Sequence, residues 1–307
     1  MTIASYTSTR VRGFAPWRPQ AKNRRLLDQV QEVLAEYADH LPLTLRQIFY
    51  RLVAGYDYPK DERAAERLTE AMNRARRAGM IPFAAIRDDG AVIEQPFSFH
   101  GKPEFWGYVR QIAGDYRRER LDEQGLVVEL WVEAAGMVPQ VARVAEPFGI
   151  TVYSSGGFDS LTVKHDAACR IAARACPTIV LHVGDHDPSG VSIFDSAAAD
   201  IGAMLTHLAG HADFRRVAIT PEQVERYGLE TAPPKKTDRR GTWVGGTVQA
   251  EALAPDELAA EVRRAIEEHI DADVLARVVE VEQVERAEIL LHLDETYSHL
   301  FTEDESS

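Results

Sequence analysis

The chain has 307 residues, 45% hydrophobic and 27% charged, a globular balance long enough for two ordinary domains. No apolar run reaches the ~18–20 residues of a membrane span, and the polar, arginine-containing start lacks a signal-peptide core. Only two cysteines occur, Cys169 and Cys176, with no Cys/His cluster around them, which excludes a disulfide scaffold and a structural zinc site. These features predict a cytoplasmic protein without membrane contact.

The net charge of −13 alone argues against a nucleic-acid binder. Along the chain, however, residues 1–120 carry 20 Lys and Arg against 15 Asp and Glu, and residues 121–250 carry 11 against 16. Residues 251–307 carry 4 against 17. An acidic C-terminal segment therefore hides a mildly basic N-terminal part. That segment reads either as a solvated helical tail or as a partner surface that competes with nucleic acid.

In chain order, residues 1–21 read as a loosely ordered basic arm with Arg10, Arg12 and Arg18. Helical spacing of Leu26, Val30, Val33 and Leu34 predicts a helix over 22–37. Pro42 breaks it, and Thr44 is placed to cap a second helix over 45–54. A third helix is predicted over 61–78, ended by Gly79 and Pro82. A hairpin then follows, with F83-A-A-I-R and A91-V-I-E joined by a D88-D-G turn. Three helices closed by a hairpin is the layout of a winged-helix domain, a helix-turn-helix variant, here over residues 22–120.

From Gly125 the pattern changes. L126-V-V-E-L-W-V, I150-T-V-Y, T178-I-V-L-H-V and R215-R-V-A-I-T read as strands. Helical stretches over 137–147, 160–175 and 191–208 alternate with them, which predicts a parallel sheet covered on both faces over residues 121–222. Residues 223–307 are expected to hold an irregular segment with a basic P233-P-K-K-T-D-R-R-G loop, then an acidic helical extension over 255–300.

Glu133 ends the first buried strand, and Asp185 and Asp187 follow the third. Sites in open parallel sheets form at the carboxyl ends of strands, and three carboxylates there supply hard oxygen ligands for Mg²⁺. Without a cation they would repel one another, whereas the bland alternative for either Asp is a cap on the following helix. His186, between the two Asp, would point the other way in an extended segment and reads as structural.

These residues carry a resemblance. V132-E133 after a buried strand, G156-G in the next loop and G184-D-H-D-P-S-G after a third strand resemble a Toprim domain, in the form of the topoisomerase VI A subunit and the related meiotic double-strand-break transesterase. Relatives often have Lys directly after the Glu, where this chain has Ala134. The S154-S-G-G-F-D-S-L-T-V-K stretch is loosely similar to the family's Gly-rich segment, with Lys164 as its basic residue. The family's nucleophile lies in a T-x-R-x-I-[FY]-Y pattern ahead of Toprim, and T44-L-R-Q-I-F-Y fits it, with Gln47 where relatives often have Asp. Helix geometry puts Leu45, Ile48, Phe49, Leu52 and Val53 on one apolar face, with Tyr50 at its polar edge one turn after Arg46. A weaker echo of the family is A250-E-A-L-A-P-D-E-L.

The resemblance implies an α/β protein with an N-terminal winged-helix (CAP-like) domain, then a Toprim Rossmann-like parallel-sheet domain. Tyr50 would attack a DNA phosphodiester to give a 5′-phosphotyrosyl link, with Arg46 neutralising the phosphate. Glu133, Asp185 and Asp187 would hold Mg²⁺, for which Mn²⁺ could substitute. Arg51, Arg74, Arg76, Arg77, Arg87 and Lys164 are the expected DNA contacts, Arg being suited to phosphate. The expected partners are double-stranded DNA, a second copy in a homodimer whose tyrosine works with its partner's metal, and a separate ATPase B-type subunit. The chain has no G-x-x-x-x-G-K-[ST] loop of its own. A nucleoid-associated cytoplasmic enzyme that relaxes, nicks or cuts DNA without ATP follows. Two rivals remain: a Toprim nuclease using water with Tyr50 passive, and a DNA-binding module whose chemistry has decayed.

Overall fold

The computed structural model describes residues 14–87, 96–156, 160–174, 176–234, 243 and 245–301. Its N-terminal part opens with helix α1 (Ala21–Glu36), whose buried Leu26, Leu27, Val30, Val33 and Leu34 recur at helical spacing. A two-residue strand β1 (Leu43–Thr44) leads directly into α2 (Leu45–Tyr56). The Thr44 hydroxyl accepts from Gln47 N and the Gln47 amide oxygen accepts from Thr44 N, so a capping box starts the helix. Asp57, at φ 51°, ends it in the left-handed region. Asp61 caps α3 (Glu62–Arg77) through a 2.7 Å bond from Ala64 N. Val30, Val33, Ile48, Leu52, Leu68 and Met72 from the three helices are fully buried together with Leu43 and Ile86.

Strand β2 (Ile86–Arg87) pairs in parallel with β1. This differs from the expected hairpin: Phe83–Ala85 is a 3-10 turn, and the D88-D-G turn and A91-V-I-E lie outside the described residues. Helix α4 (Lys102–Gly114) was not expected from the sequence. Only Ala113 of it is buried, so its apolar periodicity is weak.

The second part alternates strand and helix as predicted. Its elements are β3 (Val127–Val132), α5 (Val138–Ala145), β4 (Thr151–Ser154), α6 (Leu161–Ala172), β5 (Thr178–Val183), α7 (Pro188–Leu208) and β6 (Ala212–Ala218). The sheet order is β4-β3-β5-β6 with every pairing parallel. Val128, Leu130 and Val132 face α5 and a later helix, whereas Trp131 faces Ala167, Ile171, Ala197 and Ile201 of α6 and α7. That period-2 division is why β3 reads as a continuous apolar run. Glu129, on the Trp131 face, is fully buried yet satisfied by Arg170, Arg174 and the Trp131 indole N–H.

Helix α8 (Pro221–Arg226), α9 (Pro255–Glu267) and α10 (Ala272–Phe301) follow. Leu258, Val262 and Ile266 of α9 enter the sheet core, and α10 packs along α4. The expected helical extension is thus two helices, one of which completes the sheet's cover. Most of the basic P233-P-K-K-T-D-R-R-G loop lies outside the described residues. No helix among the described residues is long and apolar enough to cross a membrane.

Candidate active site

The carboxyl ends of β3 and β5 are adjacent because Val132 pairs with Val183. Glu133 follows the first strand and its backbone N–H is bonded to Val183 O at 2.9 Å. Asp185 and Asp187 follow the second, and Asp187 caps α7 by accepting from Gly190 N at 2.7 Å. The Glu133 carboxylate reaches across to accept from Asp185 N at 3.0 Å. Gly184 makes this approach possible, since a Cβ there would stand 2.5 Å from Glu133 Oε2. Gly190 is equally constrained, because a Cβ there would stand 2.7 Å from Asp185 O.

Burial, and then the Asp185 charge, push the Glu133 carboxyl above its ordinary value. Burial likewise raises Asp185, with Asp187 adding to it. Arg216 supplies the opposing charge. Its guanidinium donates to Gly184 O at 2.8 Å, to Asp185 O and to Ile219 O at 3.1 Å, while Nη1 is buried without a partner. His182 stacks on Phe194 with ring centres 4.2 Å apart, and burial plus Arg216 push its pKa down to about 3, so it is neutral. His186 packs against Trp243 and its backbone pairs with Val248.

That pairing starts a strap, residues 247–252, joining the sheet edge to α2. Three successive strap residues each hold one group singled out from the sequence. Gln249 Oε1 accepts from the Tyr50 hydroxyl at 2.6 Å. Ala250 N donates to Asp185 Oδ1 at 2.8 Å. The Glu251 carboxylate, 5% exposed, lies 3.6 Å from Arg46 Nη1, and its Oε2 has no partner. Burial raises the Glu251 carboxyl, Arg46 opposes the shift and Asp185 adds to it.

Tyr50 is consequently half-buried against the sheet core rather than standing at an open polar edge. Its pKa is pushed up to about 12, first by burial; Arg46 lowers it, and Glu251, Asp185 and Glu230 raise it. Within one chain the strap thus brings the Tyr50 hydroxyl, the Asp185 carboxylate and the Arg46 guanidinium to three successive residues. Gln47 also gains a role: besides capping α2, its amide donates to Gln140 of α5, tying the helical part to the sheet.

Hard carboxylate oxygens at one sheet edge suit Mg²⁺, and a cation would relieve the repulsion that raises Glu133 and Asp185. As folded, each of the three carboxylates spends one oxygen on a backbone N–H. Among the described residues, no group of three or more His, Cys, Asp or Glu is arranged to hold a metal ion. The donor chemistry fits, since each carboxylate keeps its second oxygen for a cation.

The expected DNA contacts divide by placement. Arg76 is 9% exposed, facing Phe83 O, Ile86 O and the Phe83 ring. Lys164 is 8% exposed and paired with Asp200, and the Arg51 guanidinium donates to Ala252 O. These three are turned inward, a placement that does not agree with DNA contact, because each cation is already engaged within the fold. Arg74 is exposed and bonded to Glu70, and Arg77 and Arg87 are half-buried. Exposed Lys22, Arg25 and Arg67, which the sequence reading did not single out, are gathered with Tyr56 and Tyr58 around a cavity of about 320 Å³. That reading also missed Arg216, Gln249 and Glu251; the A250-E-A-L echo and the end of the last strand were the available signals.

Compared with known family models, curated proteins and solved structures, the chain gives no match.

Proposed function

We propose that the protein is a DNA transesterase of the type IIB topoisomerase kind, with a winged-helix part carrying Tyr50 and a Toprim-like sheet carrying Glu133, Asp185 and Asp187. The observation that carries this reading is the strap contact set. Gln249, Ala250 and Glu251 hold the Tyr50 hydroxyl, Asp185 and Arg46, gathering nucleophile, phosphate-binding cation and acidic edge into one cluster. The parallel β4-β3-β5-β6 order with an Asp-x-Asp after its third strand in sequence supports the Toprim-like assignment.

In this reading the Tyr50 oxygen attacks the phosphorus, the bond from phosphorus to the 3′-oxygen breaks, and the 3′-oxygen takes up a proton as the phenol loses one. One phosphodiester is exchanged for another, so religation needs no ATP. Arg46 holds the phosphate and favours the phenolate. Glu133, Asp185 and Asp187 would hold Mg²⁺, which when bound neutralises phosphate charge. Exposed Lys22, Arg25, Arg67 and Arg74 supply sequence-independent affinity for duplex DNA. We extend the proposal to a homodimer in the nucleoid, with ATP-driven strand passage left to a separate subunit.

One observation favours a second reading. The Tyr50 hydroxyl is half-buried and committed to Gln249 Oε1 at 2.6 Å, and burial raises its pKa, which suits a Toprim nuclease that activates water and leaves Tyr50 passive. Supercoiled plasmid incubated with Mg²⁺ separates them. Relaxation or cutting by the wild type that is abolished in Tyr50→Phe supports the transesterase. Equal activity of the two proteins refutes it in favour of the nuclease.

A further inference from the structure

Tyr50 and its hydroxyl partner Gln249 both line a cavity of about 410 Å³ between α2 and α3, a size within the range of small-ligand sites. Its apolar wall is formed by Leu45, Phe49 and Leu68, and its rim carries the cations of Arg46 and Lys60 beside the carboxylates of Asp61 and Glu62, of which Asp61 is engaged in capping α3. Phe49 is braced edge-to-face by Tyr50 at 5.5 Å and by Tyr58 at 6.0 Å, so the aromatic wall is rigid. Lys60 Nζ lies 5.7 Å from the Tyr50 ring centre and donates to Glu230 O. Among the described residues it has no ion-pair partner, and burial lowers its pKa. Arg46, 54% exposed, faces Glu251 from the same rim. An apolar wall beside two cations suits a ligand with a flat apolar body and an anionic end.

We propose that this cavity receives one unstacked nucleotide of a DNA strand, its base against Phe49, Leu45 and Leu68 and its phosphate between Arg46 and Lys60. The phosphodiester offered to Tyr50 is then the one attached to an extruded base. The inference rests on the reading of Tyr50 as facing DNA, and it adds a requirement: the duplex is locally unstacked before it is cut. Enzymes that do chemistry on a base extrude it from the stack, and aromatic side chains accept an unstacked base of any sequence; here the same extrusion would serve strand cleavage.

The test uses the full-length protein and a panel of duplexes carrying 2-aminopurine at successive positions, whose fluorescence rises when the base unstacks. Fluorescence and binding are read in EDTA, and covalent product is read on the same duplexes in Mg²⁺. The proposal expects a rise at one position of the panel. It expects that rise to be lost in Thr69→Trp and Ala65→Phe, which fill the cavity from its exposed rim and its wall, while duplex affinity stays within about threefold, under 1 kcal/mol. Competition with deoxyadenosine monophosphate should suppress the rise, whereas inorganic phosphate at equal concentration should not. A rise that persists in both filled variants overturns the proposal. So does binding of deoxyadenosine monophosphate with no rise on any duplex, which would make a free nucleotide the ligand. Covalent product without a rise overturns this inference alone. A rise without covalent product keeps the cavity assignment and refutes the transesterase reading; absence of DNA binding overturns both.

Discussion

Replacing Glu251 by Gln should strengthen DNA binding, and the structure limits by how much. The Glu251 carboxylate stands 3.6 Å from Arg46 Nη1 and so competes with a phosphate for that guanidinium. At an effective dielectric of ~20, such a pair has a Coulomb energy of about 4–5 kcal/mol. The Arg46 side chain is 54% exposed, however, and solvent-screened pairs measure about 0.2–1 kcal/mol. Releasing Arg46 should therefore tighten DNA binding by at most about fivefold. The same change strengthens an existing phosphate contact, so the dependence of log affinity on log salt should steepen by less than the ~0.9 of a full new contact. Fluorescence anisotropy of a labelled duplex over a salt series measures both quantities. A double-mutant cycle with Arg46→Gln identifies the source, since the gain should vanish when Arg46 is absent. An unchanged affinity in a folded Glu251→Gln protein, or a gain that survives loss of Arg46, would refute the reasoning.

The other expectations concern the acidic edge and the sheet beneath it. Asp187→Asn keeps a side chain able to cap α7 and should leave stability unchanged while abolishing Mg²⁺-dependent activity; Asp187→Ala should lose about 1 kcal/mol as well, read by urea denaturation. Because the folded protein raises the Asp185 carboxyl, its charge works against folding above the unfolded pKa. Asp185→Asn should thus raise the melting midpoint in EDTA at neutral pH, with activity lost; a lower midpoint would contradict this. Glu129→Ala removes the buried partner of Arg170 and Arg174, which water can still reach, and should cost about 1–3 kcal/mol. Glu129 also has a pH signature. Burial raises its carboxyl, but the bonds and charge of Arg170, with Trp131 and Arg174, bring it below the ordinary value. Its stabilisation is complete above the unfolded carboxyl value of about 4.3 and disappears as pH falls through the depressed folded value. The acid-unfolding limb should therefore be shallower in Glu129→Ala than in the wild type.

The sheet was legible because its strands are buried on both faces. Continuous runs such as L126-V-V-E-L-W-V leave no other economical reading, and helices between them impose parallel pairing. The carboxylates were found by the same logic, since Glu133 and the Asp pair fall at strand ends that β3–β5 pairing makes adjacent. Periodicity also located α1, α2 and α3 within a residue or two. What it could not show was which partner each face meets. Tyr50 occupies a polar edge of α2 by helix geometry, yet the strap covers it, because a contact 199 residues distant in sequence leaves no trace in local pattern. Arg51, Arg76 and Lys164 read as surface cations for the same reason: charge type marks a residue as exposed unless its partner is known. Helix α4 escaped because it rests on α10, far along the chain, with a single buried residue of its own. Gln47 looked like a departure from a pattern, and the structure makes it a capping residue and a link to Gln140.

The central claim is that the Tyr50 oxygen becomes covalently bonded to DNA. Its most direct test is mass spectrometry of the protease-released peptide containing Tyr50, after reaction with duplex DNA and Mg²⁺, denaturation and nuclease trimming. A nucleotide 5′-phosphate adduct on Tyr50, absent from Arg46→Ala and Asp185→Asn reactions, is the predicted result. DNA cut in full with Tyr50 unmodified would contradict it and leave water as the nucleophile.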